Sequence, residues 1–152
     1  MLRVGRTAVA CVLALLAGAF AACAERTPAA ETCIQAQPAD VLQALTHAPG
    51  HVALADGTPL SQCVRRTLDE GHLQTLGATL TAAADTLAQR MRASDAAAVQ
   101  LGFLIGAADR GAGQAAGFQG ELANRIAGAA PSDGGPRRAL LMRGRAAGRR
   151  HG

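Results

Sequence analysis

Gly102 and Gly106 stand four residues apart inside the most apolar part of the chain, and this spacing limits the fold more than any other feature. Residues four apart share one face of a helix, so the two missing side chains leave a bare strip that a neighbouring backbone can approach. The flanking residues suit a helix over residues 94–110. Ser94 is a good N-cap, Asp95 favours the positive end of the helix dipole, and Arg110 favours the negative end. Each glycine costs about 1 kcal/mol of helix propensity relative to alanine, a cost that close packing can offset. The expected packing partner is the helix predicted over residues 73–91, and homodimerisation through the same strip is the functional version of that reading.

The N-terminal residues bear on destination. Arg3 and Arg6 precede an apolar run over residues 8–22 that closes on small residues, the three-part plan of a secretory signal ending near Ala24. The run is shorter than the roughly 20 residues that span a bilayer, so export is expected in place of a transmembrane anchor. Phe20-Ala21-Ala22-Cys23 resembles the lipobox of bacterial exported lipoproteins, with Phe20 where Leu is more usual. The resemblance is confined to these few residues and implies that Cys23 becomes the lipidated first residue of a membrane-anchored protein. Ala22-Cys23-Ala24 also fits an ordinary signal peptidase site, which would leave Glu25 first and the protein soluble in the periplasm or secreted.

The cysteines agree with export under both readings. Cys11 leaves with the signal and Cys23 is lipidated or removed, which leaves Cys33 and Cys63 as a pair in an oxidising compartment. No C-x-x-C spacing marks a redox centre, so the pair is expected to form a structural disulfide. In the chain-entropy model a loop of about thirty residues makes such a bridge worth roughly 3–4 kcal/mol.

Residues 25–32, Ala-rich with Pro28, read as a linker. After Pro38, Val41, Leu42 and Leu45 have helical spacing up to about Thr46, where Pro49-Gly50 breaks the pattern. Val52 and Leu54 alternate before Asp56-Gly57, which suggests a short β element near residues 51–55. Thr58-Pro59 reads as the N-cap and first residue of a helix carrying Leu60, Cys63, Val64, Thr67 and Leu68 as far as Gly71. Leu73, Leu76, Leu80, Leu87 and Met91 mark the clearest amphipathic helix, and Phe118, Leu122 and Ile126 mark a last one ending at Pro131. The expected fold is mainly α, one domain over residues 33–130. It is a small antiparallel bundle of about four to five helices whose N-terminal half is stapled by the disulfide. Residues 131–152, rich in Gly, Pro and Arg, are expected to form a disordered tail.

The formal charge of +4 is unevenly spread. Arg3 and Arg6 contribute two charges before residue 23, residues 131–152 hold six Arg against Asp133, and residues 23–130 hold seven Arg against ten acidic residues, so the body is mildly acidic and beyond the signal only the tail is basic. The functional reading of the tail is electrostatic attachment to anionic lipid headgroups or an acidic envelope polymer; the bland one is a solvated extension. Trp and Tyr are absent, and Phe103 and Phe118 are the only aromatics beyond the signal. Aromatic platforms for sugars or single-stranded nucleic acid therefore lack their main component.

Catalytic sets are equally hard to assemble. His47 and His51 have ligand-like spacing, with Asp56 and His72 further along, but Pro49-Gly50 between them destroys the shared helical face. Ser61, Ser94 and Ser132 sit in no G-x-S-x-G elbow, and Asp69-Glu70 are adjacent and diverge. The expected function is that of an exported bacterial cell-envelope lipoprotein acting as a non-enzymatic binding or structural module. Its partner would be an envelope protein or an anionic envelope surface, with no cofactor, no metal and no nucleic acid. The alternative is a small periplasmic metal-binding protein or hydrolase using His47, His51, His72 and Asp56.

Overall fold

A computed structural model describes residues 28–114, 117–132 and 135–152; the segment expected to direct export, and Cys23, lie outside these residues. Among the described residues the chain forms seven helices and no strand: α1 (Pro28–Gln35), α2 (Pro38–Leu45), α3 (Leu60–Arg66), α4 (Glu70–Arg90), α5 (Asp95–Ala112), α6 (Phe118–Gly128) and α7 (Arg138–His151). The mainly α bundle follows from the 3.6-residue periodicity, and the capping residues account for several helix starts. Ser94 Oγ accepts the Ala97 N–H at 3.2 Å to open α5, and Asp69 Oδ1 accepts the His72 N–H at 3.0 Å to open α4. Pro38 occupies the first helical position of α2, where its missing N–H has no partner to lose.

Two helices occupy ground expected to be irregular. Residues 28–32 belong to α1 and not to a linker, because Pro28 opens the helix, alanines follow it and Glu31 favours its first turn. Residues 138–151 form α7 and not a disordered tail. The β element near residues 51–55 reduces to a single antiparallel bridge between Ala53 and Pro59, with Val52 and Leu54 buried as their alternation requires. Thr58 is not the cap of α3. Its backbone N–H donates to Asp56 Oδ1 at 2.9 Å and its hydroxyl to Asp56 Oδ2 at 2.8 Å, closing a tight turn ahead of the helix.

Helix α5 is the centre of the core. Every residue from Leu101 to Ala108 is buried, and a helix that is apolar all round must be surrounded. Helices α3, α4, α6 and α7 all pack on it. Gly111 admits α3, since a Cβ there would lie 2.6 Å from Val64 Cβ. Cys33 in α1 and Cys63 in α3 form the disulfide, with a Cα–Cα distance of 5.4 Å and both residues 1% exposed. The staple thus joins α3 to α1, a helix the sequence does not announce, while α2 packs on α4 and α5.

Candidate functional site

The strip made by Gly102 and Gly106 lies under α7, not under α4 as the periodicity implied. A Cβ on Gly102 would fall on Leu141 O and within 2.9 Å of Arg145 N; one on Gly106 would fall on Arg145 O and within 2.9 Å of Arg149 N. The relation is reciprocal. A Cβ on Gly144 would fall on Val99 O and one on Gly148 on Phe103 O, with Ala107 N only 2.9 Å away. Both helices therefore expose bare backbone to each other, a distance at which Cα–H groups point at carbonyl oxygens across the seam. Residue numbers rise together along the contact, so α5 and α7 run in the same direction and α6 lies between them in the chain. The strip formed by Gly102 and Gly106 is covered within the molecule by α7.

Side chains clamp the seam at both ends. Arg137 Nε donates to Asp95 Oδ1 at 2.7 Å and its Nη1 to Arg92 O at 2.9 Å. At the other end, Asp109 Oδ2 accepts from Arg145 Nε at 2.9 Å and from Arg149 Nη2 at 2.8 Å. Arg110 Nη1 donates to Arg150 O at 2.6 Å and to Gly152 O at 3.2 Å, and the buried Ser61 hydroxyl also donates to Gly152 O. These donors satisfy carbonyls at the end of α7 that have no partner within the helix.

Sequence reasoning missed α7 because its buried stripe is Leu141, Gly144, Ala147 and Gly148, which carries little apolar signal. The usable clue was Gly144-x-x-x-Gly148, the same spacing as Gly102-x-x-x-Gly106.

The predicted polar residues are not assembled into one place. His47 and His51 are exposed near the turn after α2, and His72 is exposed in the first turn of α4, its Nδ1 3.6 Å from Asp69 Oδ1. Asp56 is committed to its own turn. The Thr58 N–H, with help from the Thr58 and Thr32 hydroxyls, holds its carboxyl below the ordinary aspartate range. Among the described residues no three His, Cys, Asp or Glu side chains converge as a metal site would require. Ser94 caps α5 and Ser61 holds the end of α7, so both hydroxyls have structural partners.

Several surface features remain among the described residues. An open cleft of about 690 Å³ at the end of α5 is lined by Asp109, Arg110, Gln114, Asn124 and Arg149, and its charged groups already serve the clamp on α7. A groove of about 220 Å³ between α4 and α6 runs past Leu73, Leu122 and Phe118, whose ring is 62% exposed. The outward face of α7 carries Arg138, Met142, Arg143, Ala146, Arg149 and Arg150. No known protein family, curated protein or solved structure matches the chain.

Proposed function

We propose that the protein is an exported cell-envelope protein, held at a membrane by a lipid on Cys23 and acting as a binding or structural module rather than as an enzyme. The observation that carries this reading is the Cys33–Cys63 disulfide, buried between α1 and α3 in a chain whose first residues follow the plan of a secretory signal. Disulfides of this kind persist in oxidising compartments and are rare in a reducing cytosol. The engagement of Ser61, Ser94, Asp56, Asp109 and Arg110 in caps, turns and clamps supports a non-catalytic role, since a catalytic group must be available to a substrate.

Mass spectrometry of the mature protein from a bacterial host tests the proposal. A chain beginning at lipid-modified Cys23 is expected. A chain beginning at unmodified Glu25 would overturn the anchor and leave export standing, whereas an uncleaved cytosolic chain would overturn both.

A further inference from the structure

We propose that the outward face of α7 binds the anionic phospholipid surface of a membrane, laying the helix flat on the headgroups. Helical geometry sets Met142, Ala139 and Ala146 in a central strip, with Arg138 and Arg149 along one edge and Arg143 and Arg150 along the other. This face lies opposite the stripe Leu141, Gly144, Ala147 and Gly148 that packs on α5. Helix α7 has no acidic residue. The two carboxylates of α5 nearest to it, Asp95 and Asp109, are each taken by arginines of the seam. Among the described residues, Arg138, Arg143 and Arg150 have no carboxylate partner. Helix stability does not account for Arg138 either, because a cation in the first turn opposes the helix dipole.

Charge is segregated across the molecule. The described residues 28–132 carry six arginines against nine acidic residues, whereas the described residues 135–152 carry six arginines and no acid. Such a distribution turns α7 toward an anionic surface and the acidic body away from it. The central strip favours a bilayer over a soluble polyanion. Met142 is 49% exposed between the arginine rows, where it can enter the headgroup boundary while the arginine stems lie along the surface. A polyanion would be served better by continuous cations or by stacking aromatics, and this face has no aromatic residue. The inference goes beyond the lipid anchor and does not depend on it.

Flotation of the full chain with phosphatidylcholine vesicles, with and without about one third phosphatidylglycerol, is the test. An acyl chain partitions into both vesicle types, whereas Arg3 and Arg6 of a retained signal segment also favour anionic ones, so the contact of α7 is isolated by comparing the arginine variants on anionic vesicles. Binding to anionic vesicles is expected to exceed binding to neutral ones and to weaken with salt. The triple variant Arg138→Gln, Arg143→Gln, Arg150→Gln should lose roughly 5-fold per arginine, on the order of 100-fold together. The triple variant Arg65→Gln, Arg66→Gln, Arg90→Gln removes the same charge elsewhere and should bind like the wild type. Unchanged helical circular dichroism shows that the variants are folded. Met142→Ser should weaken vesicle binding but not binding to inorganic polyphosphate. Equal losses in the two arginine variants, equal binding to neutral and anionic vesicles, or retention of polyphosphate in the absence of vesicle binding would each overturn the proposal.

Discussion

Replacing Gly106 by alanine adds a single carbon to the seam between α5 and α7. That carbon would fall on Arg145 O and within 2.9 Å of the Arg145 carbonyl carbon and of Arg149 N. All three are backbone atoms, so no side-chain rotation can make room and the helices must part. Restoring ordinary contact distances opens a gap on the order of 1 Å, which forfeits a quarter to a half of the dispersion energy of the atoms that faced each other. Overpacking of this kind costs about 1–3 kcal/mol, against a gain of about 1 kcal/mol from replacing glycine in a helix. The difference is a net loss of up to about 2 kcal/mol, and because Gly102, Gly144 and Gly148 share the seam and their contacts lengthen together, the upper part of that range is expected. Gly128→Ala is the control, since a Cβ there meets nothing within 4 Å and only the propensity term operates. Urea unfolding followed by far-ultraviolet circular dichroism should place the wild type between the two variants. The double variant Gly106→Ala, Gly148→Ala should lose less than the sum of its parts, because the first methyl has already separated the helices. A Gly106→Ala protein stabilised as much as Gly128→Ala would refute the close approach.

Four further outcomes follow from the same geometry. Ser61→Ala removes a buried hydroxyl that donates to Gly152 O, and should lower stability by about 1 kcal/mol and increase amide exchange at the end of α7 first. Asp109→Asn leaves Arg145 and Arg149 without their shared carboxylate, so a loss of about 1 kcal/mol is expected at low ionic strength and a smaller one in high salt, as read by urea unfolding. Reduction of Cys33–Cys63, a loop with sequence separation 30, should cost about 2–4 kcal/mol, and two reactive thiols in the unfolded, unreduced protein would rule the bridge out. The Asp56 carboxyl, held low by the Thr58 N–H, contributes stability that is complete above the unfolded aspartate value near pH ~4 and is lost as the pH falls through the lower folded value. Asp56→Asn should therefore be less stable than the wild type at neutral pH, and urea titrations should show the difference closing on acidification.

The candidate site was legible in parts. The excess of arginine after Pro131 is plain in the sequence, but its arrangement as two edges around Met142 exists only once α7 is helical and seated. The histidines show the reverse case. Their number and spacing invite a metal reading, and the fold leaves His47 and His51 beside one turn and His72 on α4, each exposed.

What the sequence by itself determined are the features whose causes lie within a few residues. The cap at Ser94, the proline at the first position of α2, the leucine spacing of α4 and the apolar length of α5 act locally and define those helices. The disulfide was also legible, because Cys33 and Cys63 are the only cysteines beyond residue 23. Only the tertiary structure decided what covers Gly102 and Gly106. Two glycine strips attract through backbone contact, which falls off steeply with distance and leaves no periodic run of large apolar side chains to read. Neither Gly144 nor Gly148 gains anything from its helix alone; each favours it only when α5 lies against the bare face. The last helix is therefore a consequence of packing between segments about forty residues apart, as the Arg110 to Arg150 hydrogen bond also is.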